Sequence, residues 1–89
     1  MTDTIRLPDE LGQQLCEHRK ALKLNKSELA KKAGKVRDVV YRLEAGEDTT
    51  VSSLMAVLGA LGLAIRLERV GLPWAREVAR RFQEDDDAS

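Results

Sequence analysis

The segment from Asn25 to Gly46, NKSELAKKAGKVRDVVYRLEAG, constrains the fold more than any other part of the chain. Its apolar residues recur at three- and four-residue spacing: Leu29, Ala30 and Ala33 before Gly34, then Val39, Val40 and Leu43 after it. That is the period of an amphipathic helix, and each run is only about two turns long. A helix this short does not hold alone in water, because nucleation costs more than its few hydrogen bonds return. The two runs must therefore pack on each other and on their neighbours. Asn25 with Glu28 three residues later fits a capping box. Gly34 and Gly46 fit helix stops. Two short helices joined around one glycine form the helix-turn-helix pattern, in which the second helix usually reads the groove.

The flanking sequence supplies further elements. Thr4 to Leu7 reads as an extended arm, and Pro8 with Asp9 and Glu10 opens a first helix. Leu11, Leu15, Arg19 and Leu22 carry that helix to about Lys23. Asp48, Thr49 and Thr50 offer N-caps for a fourth helix with the stripe Leu54, Val57, Leu58 and Leu61, weakened at its end by Gly59 and Gly62. The period then changes. Leu63, Ile65 and Leu67 alternate with Ala64, Arg66 and Glu68, which reads as a half-buried strand. Pro73 is expected to open a short final helix with Trp74, Val78, Arg81 and Phe82 on neighbouring turns, followed by a disordered acidic tail. The expected fold is mainly α, with four to five short helices and one C-terminal strand. The expected organisation is an N-terminal arm over 1–10, a helix-turn-helix domain with its strand over 11–70, and a short helix and tail over 71–89.

Eighty-nine residues make one small domain, near the lower limit for a self-sufficient core, so an oligomer is expected. The formal net charge of zero conceals a polarity. Glu84, Asp85, Asp86 and Asp87 sit in the last seven residues, while between His18 and Arg42 nine basic residues face only Glu28 and Asp38. A local surplus of this size suits a polyanionic partner as well as it suits a solvated face. Cys16 is the single cysteine, so there is no internal disulfide, and the sequence has no metal-ligand spacing. It reads as a small core residue. No signal peptide is recognised, and the longest apolar stretch, Leu54 to Ile65, is too short to span a bilayer. The expected location is the cytoplasm. Cys16 and His18 point in different directions on one helix and make no nucleophile–base pair. With no phosphate loop or convincing carboxylate pair, neither an enzyme nor a cofactor is expected.

The stretch LNKSELAKKAG followed by VVYRLEAGE resembles the repressor-type helix-turn-helix family of phage repressors and Xre-type regulators, over roughly Leu11 to Leu63. The resemblance rests on Arg19, Leu24-Asn25, Glu28-Leu29-Ala30, Gly34, Val40 and the Leu43-Glu44-x-Gly46 ending. It implies a lambda-repressor-like domain. The continuation DTTVSSLMAVLGALGLAIRLERV is similar to HipB-type antitoxins, in which the last helix runs directly into a strand. That likeness implies a homodimer whose strands pair as a lid, with Leu63, Ile65 and Leu67 at the contact. It further implies a HipA-type kinase toxin as partner. By the same resemblance Arg19 and Glu44 form a structural ion pair between helices one and three.

The sequence departs from the family where a Ser or Thr commonly caps the recognition helix. Val36 stands there and cannot accept the N–H bonds, while Lys35 takes a commonly apolar position. Helix three is therefore expected to start irregularly or one residue off. By resemblance Arg37, Asp38 and Arg42 match base-reading positions. The arginine forks suit guanine O6 and N7, Asp38 suits cytosine N4 or a neighbouring arginine, and Val36 suits a thymine methyl. Lys26, Lys35 and the Tyr41 hydroxyl are candidate phosphate contacts. These readings converge on a dimeric transcriptional repressor bound to a pseudo-palindromic double-stranded operator, acting as the antitoxin of a toxin–antitoxin pair. Two rivals remain: a stand-alone Xre-type regulator, and a protein-interaction module that neutralises a partner without binding DNA.

Overall fold

The computed structural model describes residues 4–69 and 79–80. Its elements run α1 (Pro8–Ala21), α2 (Lys26–Ala33), α3 (Arg37–Glu44) and α4 (Val51–Ala60). Helix α1 starts at Pro8, and Glu10 Oε1 folds back to accept the backbone N–H of Arg6 at 2.9 Å and of Leu7 at 3.3 Å. Leu7 has no side-chain acceptor of its own, so Glu10 supplies the cap alone. At α2 the capping box closes as expected: Asn25 Oδ1 accepts from Glu28 N at 2.7 Å, and Glu28 Oε1 accepts from Asn25 N at 2.8 Å. Thr50, one of three candidates, caps α4 by accepting from Ser53 N at 3.1 Å.

All four helices stop in the same way. The residue after the last turn takes a left-handed φ, and the following N–H reaches back to the carbonyl five residues earlier in the Schellman pattern. These bonds are Leu24 N to Arg19 O, Lys35 N to Ala30 O, Glu47 N to Arg42 O and Leu63 N to Leu58 O, at 2.8–3.2 Å. Gly34, Gly46 and Gly62 hold three of the left-handed positions, and Lys23 (φ 59°) holds the fourth.

The core gathers Leu15, Leu29, Ala30, Val40, Leu43, Val57, Leu58 and Leu61, with Leu11, Leu24, Ala33, Val39, Leu54, Ala60 and Leu63 packed around it. Helix α3 packs against α1, α2 and α4. It does so through buried Val40 and Leu43 and half-buried Val39, the three apolar residues that its periodicity directs inward. At the α1–α3 crossing the backbones meet at Gly12. A Cβ there would lie 2.5 Å from the Glu44 carbonyl oxygen and 2.6 Å from that of Leu43.

Among the described residues there is no strand. Leu63–Arg69, where alternation predicts one, carries no regular hydrogen bonding, with Leu63 half-buried, Ile65 49% exposed and Leu67 91% exposed. The physical reason is that a strand is completed by a neighbour, and the neighbour expected here is a second copy of the chain. The expected final helix around Trp74 to Phe82 and the acidic tail lie outside the described residues, apart from helical Ala79 and Arg80.

Candidate nucleic-acid interface

The site is built on α3 and on the turn that leads into it. Val36 occupies the N-cap with extended backbone (φ −80°, ψ 155°) but makes no side-chain cap bond. The helix therefore starts in register, not a residue off. Its first turn is closed by Val39 N donating to Val36 O at 3.1 Å. Burying Val40 and Leu43 forces the remaining positions outward, so Arg37, Asp38, Tyr41 and Arg42 are all exposed. Val36 is 68% exposed at the same end. Lys35 is half-buried in the turn between α2 and α3, and Lys26 is half-buried at the first position of α2.

These side chains are organised among themselves. Asp38 Oδ2 accepts from Arg42 Nε at 2.7 Å, one turn along the helix, and both side chains remain more than half exposed. Held by Nε, Arg42 keeps both terminal nitrogens of its fork free of Asp38. In solvent such a pair adds only a few tenths of a kcal/mol to stability. Its effect is on orientation. Arg37 Nη2 donates to the Tyr41 hydroxyl. The Tyr41 ring carries two cations: Lys26 Nζ lies 4.0 Å from its centroid and Arg37 Cζ 4.8 Å. Lys26 is thereby brought from α2 onto the outward face of α3.

Behind this surface Arg19 and Glu44 brace the scaffold. Arg19 Nε donates to Glu44 Oε2 at 2.7 Å and Nη2 to Glu44 Oε1 at 3.1 Å, a bidentate pair with both side chains more than nine-tenths buried. Arg19 Nη1 also donates to the Leu24 carbonyl at 2.8 Å, and Nη2 reaches Cys16 Sγ at 3.6 Å. One guanidinium thus joins α1, the α1–α2 turn and the end of α3. The hydrogen bond to Glu44, above all, raises the Arg19 pKa above its ordinary value, against the opposing effect of burial. A base stabilised in this way contributes below its ordinary pKa and loses that contribution only as pH climbs through the folded value. Both values lie in strong alkali, so Arg19 stays charged throughout the neutral range. Cys16 is half-buried rather than a core residue.

Sequence reasoning brought Arg37, Asp38, Tyr41 and Arg42 to one face. It missed two features: the approach of Lys26 to Tyr41, and the helix crossing at Gly12. The signal for Gly12 was present, since a glycine inside a helical pattern costs about 1 kcal/mol relative to alanine and usually has a packing reason. Among the described residues no group of acids, histidines and cysteines is placed to hold a metal, and no helix is long and apolar enough to cross a membrane.

The geometry defines a helix-turn-helix fold with a polar, two-arginine outward face on α3. Solved structures with the same fold include those of HipB. This chain is similar to a HipB variant in its complex with an O2 20mer, at 24% identity over 80% of this chain and 100% of that one, with a TM-score of 0.72. It is likewise similar to a chain of the HipA–HipB–O2–O3 complex and to HipB in its complex with an O4 20mer, each at 25% identity over 79% of this chain and 100% of that one, with TM-scores of 0.72. No family model and no curated protein matches the sequence.

Proposed function

We propose that the protein is a sequence-specific DNA-binding repressor that acts as an antitoxin and represses its own operon. The observation that carries this reading is the outward face of α3. Arg37, Asp38, Tyr41 and Arg42 stand exposed on a helix anchored by Val40 and Leu43, and Lys26 joins them from α2. The likeness to HipB, solved in a complex with HipA, supports the antitoxin role and a HipA-type kinase toxin as partner.

Two copies related by a two-fold axis insert α3 into successive major grooves of a pseudo-palindromic operator. Val36, Arg37, Asp38 and Arg42 face base edges, with the free fork of Arg42 set for guanine O6 and N7. Lys26 and Lys35 sit at the phosphate side and fix the register. Leu63, Ile65 and Leu67 pair the copies. Arg19 and Glu44 make no DNA contact and keep α3 at its angle. The protein works in the cytoplasm, without catalysis or cofactor.

The test is a pair of titrations, against a duplex selected from a random pool and against its scrambled counterpart. Arg42→Ala is expected to lose about 1–3 kcal/mol on the selected duplex and to relax the preference at one base pair. Lys26→Ala is expected to weaken both duplexes alike and to flatten the salt dependence. Equal losses from Arg42→Ala on both duplexes would make it a phosphate contact. Wild-type protein that binds neither duplex would leave the interaction-module reading.

A further inference from the structure

We infer that Tyr41 is a positioning residue that divides its work between its two ends: the hydroxyl holds Arg37 for base reading, and the ring holds Lys26 for the phosphate backbone. The inference rests on the DNA-binding reading above and deepens it. Three contacts converge on this one side chain. Arg37, one helical turn earlier on α3, donates from Nη2 to the Tyr41 hydroxyl and also lies with Cζ 4.8 Å from the ring centroid. Lys26, on a different helix, places Nζ 4.0 Å from the same centroid. A phenol ring attracts cations to its negative face, and two flexible side chains are thereby held on one platform.

The local acids do not explain the arrangement. Asp38 is engaged by Arg42, and Glu28 closes the α2 capping box. Two like charges drawn together on an exposed aromatic surface repel each other. An anion arriving between them relieves that repulsion, so the stack suits a polyanion better than it suits the free protein. It also pre-positions the Lys26 and Arg37 side chains, which would otherwise lose rotamer freedom on binding.

The alternative role for the hydroxyl is a direct hydrogen bond to phosphate, and the two roles differ in what they discriminate. A phosphate contact carries no sequence information. A hydroxyl that orients Arg37 changes the ranking of sequences.

The experiment compares wild type, Tyr41→Phe and Tyr41→Leu on the selected and scrambled duplexes across salt concentrations, alongside NMR of the free proteins. Tyr41→Phe keeps the ring, so its affinity for the scrambled duplex should stay within about 2-fold of wild type, while its preference for the selected duplex falls about 3- to 10-fold, the scale of one solvent-exposed hydrogen bond. Tyr41→Leu should lose that preference and in addition weaken the scrambled duplex about 2- to 5-fold, the scale of one exposed cation–π contact. In the free protein, the Lys26 ε-methylene and Arg37 δ-methylene protons should resonate upfield in wild type and Tyr41→Phe and return to ordinary shifts in Tyr41→Leu. Equal weakening of both duplexes by Tyr41→Phe would mark the hydroxyl as a phosphate contact and overturn the inference. So would variants that bind and discriminate like wild type, or ordinary methylene shifts in wild type. Wild-type protein that binds no duplex would bring down the DNA reading itself and this inference with it.

Discussion

Val36 has the backbone of a good N-cap and the side chain of a poor one. Val36→Ser should therefore stabilise the domain by about 0.5–1 kcal/mol, because a hydroxyl there satisfies an orphan N–H of α3 while little apolar burial is lost. The same change removes the proposed thymine-methyl contact, so stability should rise as preference at one base pair falls. Thermal melting together with a titration on base-substituted duplexes checks both, and an unchanged melting point would mean that water already serves the α3 amides. The buried pair behaves in the opposite way. Arg19→Met or Glu44→Met alone strands a charge and should cost about 3–5 kcal/mol, whereas the double variant should cost less than the sum. A double-mutant cycle on thermal stability decides, and additive losses would count against the pair. This contact was reachable only through resemblance, since nothing in spacing links positions 25 residues apart. The two pairs within α3, Arg37 with Tyr41 and Asp38 with Arg42, were legible as neighbours one turn apart. Lys26 over Tyr41 was not, because the angle between two helices is set by core packing and not by either helix alone.

Each element carries its own punctuation. Asn25, Thr50 and Glu10 mark starts, and the three left-handed glycines mark stops, which is why helix positions were readable to within a residue or two. Lys23 hid the end of α1. A lysine in the left-handed region costs about 1 kcal/mol more than glycine, so no breaker announced the stop, and the helix ends at Ala21 rather than near Lys23. What local signals do not encode is how closely two elements approach. The α1–α3 crossing leaves no room for even one methyl at Gly12. Gly12→Ala should raise helix propensity and still destabilise the domain by about 2–3 kcal/mol, because the new Cβ meets backbone carbonyls that cannot rotate away. For a domain of this size that is a fall of about 10–20 °C in melting temperature. A variant that melts at or above the wild-type temperature would show that the crossing relaxes easily.

At the scale of the whole molecule, Leu63–Arg69 forms no strand pairing among the described residues. Leu67 is almost fully exposed and Ile65 about half, while Leu63 tucks against the core. Two-fold pairing of Leu63–Arg69 with its copy would cover this apolar edge and set two α3 helices on one side of the assembly. Ile65→Asp should then convert a dimer to a monomer and abolish tight binding to the selected duplex, while the four helices stay folded. Sedimentation at micromolar concentration reads the outcome directly, and a monomeric wild type would remove the strand lid. Alternation revealed the segment's two-sidedness but not its state, because in the proposed dimer that state would belong to two chains. The repeated helix stops have a different consequence. Starts, stops and capping bonds all close within a few residues of one another, and the longer contacts, such as Arg19 to Glu44 and Gly12 to Glu44, lie within one run of short helices. Most of the ordering entropy is therefore lost in small local steps, before any distant loop must close, and chains of this kind fold in microseconds to milliseconds. A nascent copy would reach its folded form far faster than a ribosome adds the next residue, so under the proposed function assembly, rather than folding, would set how soon it can act.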